Sequence, residues 1–177
     1  MGFNRMNDTI RIDYIKNIDW KLQKQSRSGA ILYKLQGNEF VFLMGIDTKS
    51  GEITDFAGGI KLKQENQVSG GLRELEEESC GVFGSIDENE VSEHLVIYNK
   101  DTVIMLIHID FDPVGVIKEF NKRITFIEKP EVSGLLILSI NDLKNLIKGN
   151  LFGNRIMYSK IKDMLDVALN KNFIAML

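Results

Sequence analysis

Three glutamates in one predicted helix are the residues of this chain whose types and spacing most clearly indicate a chemical role. Glu74, Glu77 and Glu78 lie within the run GGLRELEEESCG. At about 100 degrees per residue, an α-helix places these side chains within an arc of about 100 degrees on one face. Like charges at this spacing repel one another unless a cation lies among them. The pattern therefore favours a hard divalent cation, because Mg²⁺ and Mn²⁺ prefer carboxylate oxygens as ligands.

The same predicted helix has a separate apolar face that can hold it against the rest of the protein. Val68, Leu72, Leu75 and Ser79 recur at helical spacing from Gln67 onwards, with charged residues between them. This face points into a different sector from the glutamates. Packing of the helix therefore does not compete with binding of a cation.

An arginine and two glycines add to the acidic helix. Arg73 lies four residues before Glu77, so the two side chains can pair and one carboxylate oxygen can be held in a fixed direction. Gly58 and Gly59 let the chain bend tightly before the helix and bring its backbone close to a substrate. An ordinary turn is the alternative interpretation of the glycine pair.

The spacing of these residues resembles the signature of the Nudix hydrolases, G-x5-E-x7-R-E-U-x-E-E-x-G-U, in which U is aliphatic. The chain matches this signature through the second glutamate of the pair. At average residue frequencies, such a match arises by chance in roughly one sequence in a million. A solvated acidic helix is the alternative, but it does not require the distant glycine, glutamate and arginine. The matched residues are Gly59, Glu65, Arg73, Glu74, Leu75, Glu77 and Glu78.

The chain departs from the signature at its end. The final glycine is expected at position 80, but Cys80 stands there and Gly81 follows. Because glycine commonly ends a helix in a left-handed conformation, we predict that the last turn is extended and the following loop shifted. Nothing cationic adjoins Cys80 in the sequence, and the glutamates before it disfavour a thiolate. We interpret Cys80 as an unreactive thiol.

The resemblance implies a pyrophosphohydrolase that uses Mg²⁺ or Mn²⁺ to cleave the diphosphate bond of a nucleoside diphosphate linked to another moiety. It implies that Glu74, Glu77 and Glu78 bind the metal and that Glu65 supports the site indirectly. Arg73 is assigned the supporting role already described. The metal is expected to neutralise the phosphates and to activate the attacking water, whose proton a nearby glutamate accepts.

A second carboxylate region lies in the run IEKPEVSGLLIL. Nudix enzymes often supply a further glutamate from a loop between the later helix and a late strand, and Glu131 is the first candidate for it. Glu128 and Glu119 are alternatives, and surface charges flanking Pro130 are an equally good interpretation. The candidates for the general base are Glu77, Glu78, Glu128 and Glu131.

The predicted elements follow a mixed order. Two β-rich runs within 29–46, joined by QGNE, predict a hairpin, and runs at 94–99 and 102–111 predict another. A late strand is predicted over 132–140, and helices over 113–122, 142–148 and 154–169. This order agrees with the Nudix fold that the resemblance implies. We therefore expect an α/β (α+β) protein with a mixed β-sheet sandwiched between α-helices.

One domain is expected, because the chain has 177 residues, of which 44% are hydrophobic. We assign residues 1–28 to an N-terminal arm or edge element and residues 29–177 to the Nudix domain. The chain has one cysteine, no leader pattern and no apolar run long enough to cross a bilayer. We expect a soluble cytoplasmic protein. The resemblance to the Nudix family also makes a homodimer possible.

The sequence indicates the substrate and the partner less clearly than it indicates the reaction. The net charge of -3 does not indicate a polyanion partner. However, TDFAGGIKLKQE…GGLRELEEESCGVFG resembles a viral and eukaryotic-like Nudix subgroup in which mRNA cap removal, releasing methylated GDP, is one known activity. A basic stretch formed by Lys16, Lys21, Lys24 and Arg27 either follows an RNA backbone or is a solvated arm. The alternative to an enzyme is a catalytically inactive nucleotide-binding module. The intact glutamates argue against this alternative.

Overall fold

One mixed sheet runs through the computed structural model, which describes residues 9–177. The first eight residues of the predicted N-terminal arm lie outside this described part. The hydrogen-bonded strand order is β1-β6-β7-β2-β3-β4, with β5 also paired to β2 and β8 to β3. The strands are β1 (Arg11–Tyr14), β2 (Arg27–Gln36), β3 (Glu39–Asp47), β4 (Ile53–Thr54), β5 (Phe56–Gly59), β6 (Leu95–Tyr98), β7 (Thr102–His108) and β8 (Val132–Ser139).

Both predicted hairpins are present. Strands β2 and β3 pair in an antiparallel register from Leu32 opposite Leu43 to Gln36 opposite Glu39, and Gly37 in the turn has a φ of 66°. Strands β6 and β7 also pair antiparallel, whereas β2 and β7 pair parallel. A parallel pair needs a long connection, and helix α1 lies within it.

Helices cover both faces of the sheet. One core packs α3 and α4 against the sheet, and the other packs α1 and α2 against the opposite face. Successive side chains of β2 point into different cores, since Ile31 lies in the first core and Leu32 in the second. The predicted sandwich is therefore confirmed. The helices are α1 (Gln67–Glu78), α2 (Pro113–Ile124), α3 (Ile140–Ile147) and α4 (Ser159–Asn170).

The described part of the N-terminal segment belongs to the sheet. Strand β1 pairs antiparallel with β6, and the buried side chains of Ile10 and Ile15 enter the two cores. Residues 11–14 are thus an edge strand. No helix within residues 9–177 is long and apolar enough to cross a membrane.

Helix α1 is fixed at its start and along its length. The Asn66 side chain accepts a hydrogen bond from the Ser69 backbone, and the Ser69 hydroxyl accepts one from Asn66, which forms a capping box. A Cβ on Gly71 would lie 2.5 Å from Met105 and 2.6 Å from Ser28 Oγ. A side chain at this position would force the Met105 or Ser28 side chain to shift, so Gly71 allows α1 to pack closely against β2 and β7.

The end of α1 contradicts the predicted extension of its last turn. The helix ends at Glu78, and Cys80 itself adopts the left-handed conformation, with a φ of 56°. The Cys80 N–H donates to the Glu77 carbonyl and the Gly81 N–H donates to the Glu76 carbonyl, which is the hydrogen-bond pattern of a Schellman motif. The prediction was wrong because the cysteine accepts the backbone strain that a glycine would avoid.

Substitution of Cys80 by glycine is expected to stabilise the protein by about 0.5–1 kcal/mol, because glycine has no Cβ to oppose a positive φ. The free energy of unfolding from urea titration measures the change. Cys80→Ala removes the thiol but keeps Cβ, so it should not reproduce the gain. Equal stabilisation by alanine and glycine would show that the thiol, not the backbone, is responsible.

Candidate active site

Three glutamate carboxylates converge beside the first helix. One carboxylate oxygen each from Glu74, Glu78 and Glu131 lies within 4.8 Å of the other two. Helix α1 supplies the first two residues, and the loop before β8 supplies the third. Hard oxygen donors at this spacing suit a small divalent cation such as Mg²⁺ or Mn²⁺. We call these three residues the carboxylate cluster.

The pairing of β3 with β8 brings Glu131 to α1. Val132 lies opposite Asp47, at an irregularity in the register beside Ile46. One residue further, the Thr48 N–H donates to the Glu131 carbonyl over 2.9 Å. These contacts fix the backbone of the loop, and the Glu131 carboxylate meets those of Glu74 and Glu78.

Glu78 is the most strongly perturbed carboxyl group of the cluster. Burial raises the pKa of Glu78 to about 9, and its hydrogen bond with Glu131 and the charge of Glu74 act in the same direction. The Ala57 N–H donates to Glu78 Oε1 over 2.7 Å, which favours the charged form and opposes this shift. Burial also raises the pKa of Glu74, although the nearby Arg73 opposes that change. A bound cation would offset the cost of ionising both groups.

The two glycines before α1 occupy different surroundings. A Cβ on Gly58 would lie 2.4 Å from the Glu74 carboxylate, whereas a Cβ on Gly59 would meet nothing within 4 Å. Gly58 therefore leaves the space that the Glu74 carboxylate occupies. The Gly59 carbonyl accepts a hydrogen bond from Arg73 over 3.0 Å.

Gly58→Ala is expected to lower the affinity for Mn²⁺ by about tenfold or more, because the new methyl group displaces the Glu74 carboxylate. Gly59→Ala is the matched control and should bind the ion as the wild type does, since its methyl group meets open space. Calorimetric titration of Mn²⁺ measures both affinities. Equal affinities in the two variants would contradict this account of Gly58.

Arg73 connects the cluster to the loop that precedes α1. Its guanidinium donates to Glu65 over 2.8 and 3.0 Å, to Glu74 over 3.0 Å and to Glu77 over 3.3 Å. The hydrogen bond with Arg73 lowers the pKa of Glu65, whose carboxylate also accepts from the Lys61 N–H. The predicted contact with Glu77 is present, but the shorter bonds are to Glu65 and Glu74. Arg73 and Glu65 therefore brace the loop and one cluster carboxylate together.

The other predicted carboxylates lie outside the cluster. The Glu77 side chain is 57% exposed and lines a cavity with the three cluster residues. Glu128 is exposed on the loop before β8, and Glu119 is paired with Arg123 on α2 over 2.9 Å. Of the carboxylates beyond α1 that the sequence offered, the structure brings Glu131 to the carboxylate cluster.

A larger cavity adjoins the cluster and was not foreseen from the sequence. Its volume is about 790 Å³, and its lining includes Glu78, Glu131, Arg27 and Tyr158. The Arg27 guanidinium donates to both oxygens of the buried Asp55, over 2.7 and 3.1 Å, and lies 5.6 Å from the centre of the Tyr158 ring. No sequence pattern links residues so far apart.

The structure separates Arg27 from the three lysines of the predicted basic stretch. Arg27 lines the larger cavity, and Lys16 is paired with Glu93 over 3.2 Å. Lys21 and Lys24 are exposed. Four cations that are neighbours in sequence are thus divided between the cavity and the outer surface.

Comparisons with known proteins identify the fold. No family model matches the chain, and no curated protein matches its sequence. A C. elegans Ap4A hydrolase in a binary complex matches with a TM-score of 0.50 and 14% identity, over 85% of this chain and 98% of that chain. The Nudix domain of Shewanella oneidensis NrtR, complexed with ADP ribose, matches with a TM-score of 0.46 and 14% identity, over 86% and 94% of the two chains. A MutT/Nudix protein from Listeria innocua matches with a TM-score of 0.42 and 10% identity, over 85% and 95%. The chain has the Nudix fold, in which a mixed β-sheet lies between α-helices.

Proposed function

We propose that the protein is a metal-dependent hydrolase that cleaves the diphosphate bond of a nucleoside diphosphate linked to another moiety. The observation that carries this proposal is the convergence of Glu74, Glu78 and Glu131 within 4.8 Å beside a large cavity. A solvated acidic helix would not need a third carboxylate from a distant loop. Nor would it need a glycine whose missing side chain makes room for one of the carboxylates.

Each residue of the site has a distinct proposed task. The cluster would hold Mg²⁺ or Mn²⁺, while Arg73 and Glu65 keep the Glu74 carboxylate in place. A divalent ion bound there neutralises phosphate charge and lowers the pKa of an attacking water. Glu77 remains a proposed ligand, since it lines the smaller cavity beside the cluster and, among the described side chains, its carboxylate is hydrogen-bonded only to Arg73.

The proposed reaction is a hydrolysis at phosphorus. A water oxygen forms a bond to one phosphorus atom, and the bond between that atom and the bridging oxygen breaks. The water proton passes to a carboxylate, for which Glu77 is the candidate on α1 that is exposed and lines the smaller cavity. Each of the two products keeps one phosphate group.

The larger cavity supports a nucleotide as the substrate. Its volume of about 790 Å³ is within the usual range of roughly 300–1,000 Å³ for small-molecule sites. Tyr158 lines it and offers an aromatic surface for a base. The C. elegans neighbour of the same fold is named for the nucleotide Ap4A, which agrees with this choice. Because the predicted basic stretch is divided in the described residues, we propose a nucleotide rather than capped RNA.

One panel of reactions tests the proposed function. The protein is incubated with Mg²⁺ or Mn²⁺ and ADP-ribose, dinucleoside polyphosphates, nucleoside triphosphates or capped RNA, and the products are separated by chromatography. We expect metal-dependent cleavage of at least one free nucleotide and its loss with EDTA. Release of methylated GDP from capped RNA, with little action on free nucleotides, would favour decapping instead. Failure to cleave any substrate would favour an inactive nucleotide-binding module.

A further inference from the structure

Two cavities meet at the carboxylate cluster. Besides the larger cavity of about 790 Å³, a smaller one of about 220 Å³ opens beside Glu74 and Glu77. The two share a wall, which consists of Glu78, Lys129, Pro130, Glu131 and Val132. A ligand that contacts the cluster can therefore extend to both sides of this wall.

The cation on the shared wall is Lys129. Its side chain is exposed and lines both cavities. Among residues 9–177, no hydrogen bond or ion pair engages its ammonium group. The carboxylates of the cluster are already partly hydrogen-bonded, either to one another or to Arg73. Lys129 is therefore available to bind an anion from outside. An ammonium group with three free donors suits phosphate oxygens.

The backbone at Lys129 is strained. Its φ is 52°, a left-handed conformation that a residue with a Cβ rarely adopts. Such strain persists where the surrounding structure imposes it, and it is common at ligand sites. Here it lies two residues before Glu131, whose backbone is held by Thr48. The same turn that brings Glu131 to the cluster therefore places Lys129 on the wall between the cavities.

A second lysine lies on the neighbouring loop. Lys49 follows Thr48, whose N–H donates to the Glu131 carbonyl, and it lines the larger cavity. Among the residues that the structure describes, its ammonium group also has no hydrogen bond or ion pair. Lys49 and Lys129 thus come from two loops that are joined at Glu131. Together they provide unpaired positive charge next to the proposed metal site.

We propose that Lys129, assisted by Lys49, binds the phosphate chain of a substrate whose two ends lie in the two cavities. This inference rests on the proposed function and adds to it the residues that bind the phosphate chain. The nucleoside end occupies the larger cavity, which contains Tyr158 and Arg27. The smaller group lies beside Ile124 and Ile127, two of the apolar residues of the smaller cavity. Lys129 contacts phosphate oxygens between them.

Binding of a non-cleavable probe tests this role without turnover. The affinity for α,β-methylene-ADP in the presence of Mg²⁺ is measured by calorimetry for the wild type and for Lys129→Asn, Lys129→Arg, Lys49→Ala and Lys122→Ala. Asparagine tolerates a positive φ, so the first variant removes the charge and keeps the turn. Lys122 is an exposed lysine of α2 outside both cavities and is the matched control.

We expect Lys129→Asn to lower probe affinity by about tenfold, which corresponds to the loss of one charge-assisted contact. Lys49→Ala should lower the probe affinity by a smaller factor. Lys129→Arg should retain most of the wild-type affinity, and Lys122→Ala should leave it unchanged. Titration of Mn²⁺ alone should give an affinity for Lys129→Asn at least as high as that of the wild type, because a positive charge beside the carboxylates has been removed. A distorted loop would instead lower the affinity for Mn²⁺.

Two results would overturn the inference. The first is a Lys129→Asn variant that binds the probe as tightly as the wild type, even if the wild type hydrolyses nucleotides. The second is a wild type that does not bind the probe at all. If the wild type binds the probe through Lys129 but cleaves no substrate of the panel, the proposed function fails, whereas the binding of phosphate by Lys129 stands.

Discussion

Glu78→Gln is expected to lower metal-dependent hydrolysis by about 1,000-fold or more and to stabilise the metal-free protein at alkaline pH. Glutamine keeps the size of the side chain but removes the charge that would bind a cation. A metal ion stabilises transition-state charge by several kcal/mol, and each ~1.4 kcal/mol corresponds to a factor of ten in rate. Initial rates with Mg²⁺ measure the first effect, and thermal unfolding in EDTA measures the second.

The direction of the stability change follows from the pKa of Glu78, which burial raises from 4.5 to about 9. The folded protein favours the protonated carboxyl group more than the unfolded chain does. The resulting stability is fully present below pH 4.5 and is lost as the pH rises towards 9. Glutamine cannot ionise, so at about pH 8 the metal-free variant should melt roughly 5 °C above the wild type.

Glu76→Gln is the matched control for Glu78→Gln. Glu76 is exposed on the same helix, and its carboxylate accepts a hydrogen bond from Ser85 instead of facing the cluster. Its substitution should change neither the rate with Mg²⁺ nor the pH dependence of metal-free stability. A comparable loss of activity in both variants would mean that the charge of the helix as a whole matters, and the assignment of Glu78 would be withdrawn.

Glu131→Gln is expected to lower the affinity for Mn²⁺ by about tenfold or more, whereas Glu128→Gln should leave it unchanged. The two glutamates lie three residues apart in the same loop, so the variants differ little in net charge or sequence context. Glu131 is within 4.8 Å of Glu74 and Glu78, while Glu128 is exposed and is not part of that group. Loss of a charged ligand oxygen weakens the binding of a hard cation far more than loss of a remote surface charge does.

Calorimetric titration of Mn²⁺ distinguishes the two glutamates. The circular dichroism spectrum of each variant shows whether the fold is retained, since the Glu131 side chain is exposed and its contact with Thr48 uses the backbone. A larger loss in Glu128→Gln than in Glu131→Gln would show that the loop adopts another arrangement when the ion binds. The third carboxylate would then be Glu128.

Local periodicity predicted the acidic helix and the order of the strands and helices, while the resemblance to the Nudix signature implied the fold. Helical spacing determines which side chains share a face, so Glu74 and Glu78 were placed together and Leu72 and Leu75 were placed in the core. Alternating and continuous apolar runs predicted the two hairpins in the same way. These features depend on neighbours within a few residues, which a sequence shows directly.

Tertiary structure decided everything that depends on distant segments meeting. The resemblance made Glu131 the first candidate, with Glu128 and Glu119 as alternatives, and only the β3–β8 register shows that Glu131 meets α1. In the same way, Arg27 belonged to a basic stretch in sequence but became the partner of Asp55 in the larger cavity. Such contacts follow from strand pairing and sheet topology, for which a single sequence contains no local signal.

The conformation of Cys80 shows a different limit. Sequence rules favour glycine in a left-handed helix end, and Gly81 was available one residue later. The packed position of α1 nevertheless ended the helix at Glu78 and imposed a positive φ on the cysteine. Burial of the helix and its hydrogen bonds outweighed the local preference of about 1 kcal/mol. The sequence thus determined the acidic helix, while packing decided where it ends and which distant carboxylate joins it.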